Sequence, residues 1–226
     1  MPGITYLDLL AKYGVDSAHP GGLPMTKKIL SELAVDNDTR LLDLGCGTGQ
    51  TLSFIAKNLP CKITGVDIND KMLHKAAIRF KDQNYAIELV RADVQQLPFP
   101  SGTFDIALSE SVTVFTHISK ALREYNRVLK AGGILIAIEI TARPSLGTRE
   151  AGEICSIYNI QEVPTCSQWE CKLLQTGFSD VESYEIKAIP TLKFTSLRMR
   201  YEFAPFLKLL NHYNSKLSFR IYKCKK

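Results

Sequence analysis

Between Arg40 and Leu52 the chain reads RLLDLGCGTGQTL, an apolar run that reaches Asp43 and then places glycine at positions 45, 47 and 49. Glycines at this density let a backbone turn tightly and approach a ligand closely, as nucleotide-holding loops do. A dinucleotide loop carries GxGxxG, its third glycine packing the helix on whose N-terminus the pyrophosphate rests. Here the spacing is GxGxG, and Gln50 stands where that third glycine belongs. The sequence also has no GxxxxGK[ST] loop of the ATPase kind. Asp43 points the same way, because a carboxylate at the strand end repels a pyrophosphate and attracts an ammonium group.

Two further acidic residues extend the pattern. Asp67 in TGVDIND is placed to accept hydrogen bonds from both hydroxyls of a ribose, and Asp93 in VRADVQQLPF to accept one from an adenine amino group. An amine, a ribose and an adenine in one ligand describe S-adenosylmethionine. Taken singly, Asp67 and Asp93 would also serve as caps for the helices that follow them. The glycines alone would also make a tight turn, which leaves Asp43 unexplained.

Such residues need successive strand ends to bring them to one edge of a sheet. From residue 40 to 140 short apolar runs alternate with segments of helical period, the pattern of βαβ units on a parallel sheet. The runs span 40–44, 62–67, 86–91, 104–109 and 133–140. Leu52, Ile55, Ala56 and Leu59 form one helical face, and Met72, Leu73, Ala76, Ala77 and Phe80 another. A third helix, marked by Ile118, Leu122, Tyr125 and Leu129, is expected to end at Gly132 and Gly133. GILIAIEI is apolar nearly throughout, as expected of a strand covered on both faces. Further on, Ser167 and Glu170 have the spacing of a capping box before a helix closed by Gly177. Residues 178–186 and 217–223 then read as two more strands, about seven in all. Residues 4–13 and 26–33 read as helices joined by GVDSAHPGG, while 141–166 and 188–216 fit neither alternation and read as insertions.

The ordered set LLDLGCGTGQ, GVDIND, RADVQQLPFPSGTFDIALS and YNRVLKAGGILI, from about Arg40 to Ile140, resembles the class I S-adenosylmethionine-dependent methyltransferases. The resemblance implies an α/β, Rossmann-like, doubly wound sheet of seven mostly parallel strands, the last antiparallel. It implies that Asp43 and the loop of Gly45, Cys46, Gly47 and Gly49 hold the methionine part of the cofactor. Asp67 would hold the ribose, Ile68 would pack on the adenine face, and Asp93 with the backbone of Val94 would read the adenine edge. Ser109, at the end of the fourth strand, would lie near the methionine portion. An apolar residue at position 68 also suits ordinary packing.

Methyl transfer from a sulfonium is an in-line displacement with a neutral thioether leaving, so alignment and exclusion of water matter most and no dyad or triad need be visible. The segment after the fourth strand reads SESVTVFTH. Methyltransferases of nucleobase amino groups resemble one another in a [DNS]PP[YFW] motif there, and this chain has no Pro-Pro. The Pro-Cys of cytosine C5 enzymes occurs here only as Pro60 and Cys61, before the second strand. Glu110 is the candidate catalytic residue, orienting the acceptor or acting as a base; the alternative is that it holds nearby backbone amides. His19, in AHPGG, resembles a segment that precedes the first strand in small-molecule members of the family, where N-terminal helices roof the cofactor; otherwise Pro20, Gly21 and Gly22 make a plain turn. His117 suits the start of the next helix. The insertions, with Tyr158, Arg198, Tyr201, Phe203 and Phe206 and with Trp169 at a border, are expected to form the acceptor pocket, although such aromatic residues are also core-forming. Cys155, Cys166 and Cys171 raise the arsenic-methylating members, whose cysteine spacing they do not match.

Composition bounds the remaining classes. A length of 226 residues, 45% hydrophobic and 23% charged, suits one domain. It would divide into an N-terminal helical cap (1–39), a cofactor-binding core (40–140) and C-terminal strands with insertions (141–226). Six cysteines without paired spacing give no metal site. With no apolar stretch of membrane-spanning length and no leader pattern at MPGITYLDLLAKYG, the cytoplasm is expected and a membrane is not. The net charge of +5 is the only support for an RNA substrate. The expected partner is a small-molecule acceptor; a fold that binds the cofactor without catalysing is the alternative.

Overall fold

The computed structural model describes residues 4–16, 18–187 and 194–226. Its centre is a seven-stranded sheet in the order β3-β2-β1-β4-β5-β7-β6. Strands β1 (Arg40–Leu44), β2 (Lys62–Asp67), β3 (Glu88–Arg91), β4 (Phe104–Glu110) and β5 (Leu129–Ala142) are parallel. Strand β7 (Leu217–Lys225) alone runs against its neighbours, pairing antiparallel with β5 on one side and with β6 (Ser179–Ile186) on the other. Strand order reverses between β1 and β4. Loops leaving those two strands diverge there and open a crevice at their carboxyl ends.

Leu41, Leu42 and Leu44 of β1 are all fully buried, as a central strand covered on both faces requires. The connecting helices are α3 (Gln50–Asn58), α4 (Asp70–Gln83) and α5 (Ile118–Val128). Each lays one apolar stripe on the sheet; in α5 the stripe is Ile118, Ala121, Leu122, Tyr125 and Val128. The N-terminal helices are α1 (Tyr6–Tyr13) and α2 (Gly22–Ser31), and the C-terminal third adds α6 (Thr148–Tyr158), α7 (Cys166–Gln175) and α8 (Leu197–His212).

Four expectations change. Helix α5 stops at Val128, and Leu129 is already extended; Gly132 and Gly133 instead lie in β5, where they pair with Lys226 across from β7. The expected cap at Ser167 moves two residues back, to a capping box of Thr165 with Gln168. Helix α2 begins at Gly22 and so absorbs the end of the GVDSAHPGG connection. The insertions contain regular helices, α6 and α8; residues 188–193 lie outside the described residues. Leu9 of α1 packs with Met199, Phe203 and Phe206 of α8, joining the N-terminal helices to the second insertion. Trp169 is core, its indole N–H donating to Ile140 O at 3.1 Å, while Arg198 and Tyr201 lie on the surface.

Candidate active site

The loop from β1 to α3 is pinned by two backbone bonds to one oxygen: the N–H groups of Gly45 and Cys46 donate to Val66 O at 2.7 and 2.8 Å. Gly45 has φ +72°, and a Cβ on it would lie 2.4 Å from Val112 Cγ2. Only glycine fits there. Gly49, at the N-cap of α3 with φ +75°, serves packing: a Cβ would lie 2.4 Å from Phe80 Cζ of α4.

Over this loop lies a cavity of about 370 Å3, roofed by Tyr6, Leu10 and Val15 from α1 and the turn after it. Asp43, Gly45, Cys46, Gly47, Asp67, Ile68, Asp93, Val94, Glu110 and His19 all line it. Gly49 and Ser109 do not. Ser109 is fully buried, its Oγ 3.0 Å from Thr113 Oγ1, so it does not reach the place expected for the methionine portion. Ser111 faces the cavity instead. Its backbone is left-handed (φ +59°) and its N–H donates to Ile138 O at 2.7 Å, so the chain turns over at the strand end.

Each acidic residue is held differently. Asp43 is buried, and burial first, then the nearby Glu110 and Asp67, hold its carboxyl well above the usual range. Asp67 accepts from Gly47 N at 2.9 Å and Asn69 N at 2.8 Å; burial outweighs these bonds and raises it as well. It does not cap α4, because Asn69 does that by accepting from Lys71 N and Met72 N. Asp93 accepts from Gln95 N at 2.8 Å and from Gln95 Nε2 at 3.1 Å, within a turn rather than at a helix start. Glu110 accepts from the hydroxyls of Thr26 at 2.5 Å and Thr51 at 2.8 Å, with His19 Nε2 3.5 Å from Oε2. The His19 ring is buried between Pro20 O and Thr26 Oγ1, each 3.3 Å away, while its carbonyl accepts from Gly22 N in a turn. The ring and the turn are thus parts of one feature.

The roof is fastened to the core. Lys75 Nζ of α4 donates to Ala11 O at 3.1 Å, and Asp16 takes both Arg79 at 2.8 Å and the Thr48 hydroxyl of the glycine loop. On the opposite wall stands the short 3-10 turn Thr113–Phe115, held by Glu139 of β5. Glu139 is wholly buried, accepts from Thr113 N at 2.9 Å and is pushed up to about 7 by burial. It is the one acidic residue in GILIAIEI, a signal that sequence reasoning passed over. Thr26, Thr51, Gln95 and Ser111 were also missed; lone polar residues near loops carry no pattern that marks them.

His117 occupies the N-cap position of α5 without a side-chain capping bond, and its N–H donates to Gln95 Oε1 at 3.0 Å. Cys155, Cys166 and Cys171 lie outside the cavity lining, and among the described residues no three His, Cys, Asp or Glu side chains gather as a metal would need. No helix among the described residues is long and apolar enough to cross a membrane.

Four carboxyl groups therefore share a cavity whose described lining holds no lysine or arginine, in a chain of net charge +5. Such a cavity selects positive charge. A smaller apolar chamber of about 70 Å3 adjoins it, sharing Tyr6, Ala18, Ser111 and Phe115.

The family model described as a methyltransferase domain matches residues 42–137. An uncharacterized methyltransferase of Bacillus subtilis (strain 168), YodH, is 37% identical over 181 residues, 80% of this chain and 77% of its own length. Among solved structures, the [4+2]-cyclase SpnF is 21% identical with a TM-score of 0.77, over 97% of this chain and 92% of its own. Phosphoethanolamine N-methyltransferase 2 of Haemonchus contortus, solved with S-adenosyl-L-methionine, is 19% identical with a TM-score of 0.76, over 97% of this chain and 57% of its own. The last two share the fold. The Bacillus relative, alike along most of both chains, carries the conclusion further: this chain belongs to the class I S-adenosylmethionine-dependent methyltransferase family.

Proposed function

We propose that the larger cavity holds S-adenosylmethionine and that the chain transfers its methyl group to a small molecule. The observation that carries this reading is the set of four carboxyl groups in a cavity whose described lining has no lysine or arginine. Asp43 and Glu110 attract the ammonium of the methionine tail, with Gly45, Cys46 and Gly47 giving backbone access beside it. Asp67 keeps lone pairs for ribose hydroxyls beyond those used by Gly47 and Asn69. Asp93 and the backbone of Val94 face the adenine edge. Ile68 is 61% exposed yet lines the cavity, an apolar surface of the kind a flat base covers.

When bound, the cofactor supplies an electrophilic methyl carbon on a leaving thioether. The protein's share is to align the acceptor with it and keep water out, effects worth about 7 to 11 kcal/mol in well-oriented systems. The fastened α1 roof suits that task. Glu110, bonded to Thr26 of α2 and Thr51 of α3 and neighbouring His19, is a positioning group that ties both helices to the end of β4.

Incubation with methyl-labelled S-adenosylmethionine and either a small-metabolite extract or an RNA extract tests the reading. Label is expected in the small-molecule fraction. Label in RNA, or none in either fraction while the cofactor binds, would contradict it.

A further inference from the structure

The chamber beside the cofactor cavity has the chemistry of a site for an uncharged guest. Its volume of about 70 Å3 is roughly half that of an apolar cavity that holds benzene, so a ring seated here also reaches into the adjoining cavity, with which the chamber shares Tyr6, Ala18, Ser111 and Phe115. No described lining residue carries a charge, and none of the four carboxyl groups of the larger cavity reaches it. Burial pushes the Tyr6 hydroxyl up to about 12, so it stays neutral. The Tyr158 hydroxyl is spent on Phe206 O at 3.1 Å. An ion entering this space would lose its water without gaining a partner.

An aromatic lining can also hold a cation, over the open face of a ring. Here four of the five lining aromatic rings, those of Tyr6, Phe115, Tyr158 and Phe206, are packed on one another. Tyr6 stacks on Phe115 at 6.1 Å and meets Tyr158 edge-on at 5.1 Å, and Tyr158 leans on Phe206 at 5.4 Å. The remaining wall is the buried ring of Phe219 and aliphatic side chains, among them Val114, Ile140, Ile160 and Leu210.

One polar side chain other than tyrosine faces both spaces. Ser111 holds the left-handed backbone at the junction, and its hydroxyl has only a long contact, 3.4 Å, to Ile138 O. A non-glycine residue in that conformation is held at a cost, and such positions gather at functional sites.

We propose that the chamber is the acceptor site, that it takes an uncharged, ring-sized apolar molecule, and that the Ser111 hydroxyl orients the atom to be methylated. The proposal rests on the cofactor reading of the adjoining cavity. In the step itself a lone pair of the acceptor forms the new bond to the methyl carbon. The carbon–sulfur bond breaks with its electron pair staying on sulfur, and the acceptor's proton leaves to solvent water.

Three matched probes test it on the full chain loaded with S-adenosylhomocysteine: benzyl alcohol, benzoate and benzylammonium, with affinities read by ligand-observed NMR. Benzyl alcohol is expected to bind at least tenfold more tightly than either ion. Leu207→Trp, which fills the chamber from a half-buried wall position, is expected to abolish that preference and leave S-adenosylhomocysteine affinity unchanged. Ser111→Ala and Ser111→Gly should both weaken benzyl alcohol binding about threefold or more. Normal binding by Ser111→Gly alone would assign the effect to the backbone and overturn the role of the hydroxyl. S-adenosylhomocysteine binding with no preference for the neutral probe, or with a preference that survives Leu207→Trp, overturns the acceptor site alone. Failure of S-adenosylhomocysteine to bind overturns the cofactor reading and this proposal with it.

Discussion

Asp43 concentrates the electrostatics of the site in one carboxyl group. Burial at the end of β1, with Glu110 and Asp67 nearby, holds its proton on well above the usual carboxylate range. A ligand ammonium beside it favours the ionised form, so binding expels that proton while the pH lies below the raised value. Affinity for S-adenosylmethionine should therefore climb as pH rises toward that value. Calorimetry in two buffers of different ionisation enthalpy should show proton release, and Asp43→Asn should remove both the release and the climb. Asp67→Ala and Asp93→Ala each delete a charged hydrogen-bond acceptor, worth about 1.5 to 3 kcal/mol. Each should weaken cofactor binding by about ten- to a hundredfold in the same titration; unchanged affinity would refute the assigned roles. That these three aspartates converge was legible in their spacing, because each lies within two residues of the carboxyl end of a strand and parallel strands end at one edge. The exchange of Ser109 for Ser111 was not. Side chains alternate along an extended strand, but the left-handed backbone at Ser111 breaks the alternation at the strand end.

Among the elements, the 3-10 turn Thr113–Phe115 depends on a group from another strand. Glu139 holds it from within β5, and burial raises that carboxyl from 4.5 to about 7. The folded protein therefore binds this proton more tightly than the unfolded chain does. The stabilisation is complete below about pH 4.5 and is lost as pH rises through about 7, roughly 3 kcal/mol in all. Thermal melts of Glu139→Gln should accordingly fall less steeply than wild type between those pH values; parallel curves would contradict the assignment. Gly49 makes a different prediction, since it lies outside the cavity lining and against Phe80. Gly49→Ala should lower the melting temperature through backbone strain and collision. The molecules that remain folded should bind cofactor as before. Element boundaries followed the sequence where apolar period and strand edges coincide, as in 40–44 and 62–67. They departed from it at Gly132, where glycine marks a turn in pairing with Lys226 and not a helix end, and in the insertions, whose helices bury residues against α1. Such long-range partners leave no local period to read.

At the scale of the whole molecule, a chain of net positive charge surrounds an acidic cavity. The sheet provides the floor at its switch point between β1 and β4. The roof is α1, fastened by Lys75 and Asp16 and backed by Met199, Phe203 and Phe206 of α8. The acidic lining of this cavity was readable because it comes from residues at or near successive strand ends. The adjoining apolar chamber is assembled from α1, the turn after β4, β5, both insertions and β7, and no short stretch of sequence contains it.

A cationic adenosyl ligand and a dinucleotide place opposite charges in this acidic cavity, and titration of the purified chain with S-adenosylmethionine and, separately, with NAD distinguishes them. Saturable binding of S-adenosylmethionine at one site per chain, with no binding of NAD, is the predicted result. Binding of NAD with equal or greater affinity, or no binding of S-adenosylmethionine, would contradict it.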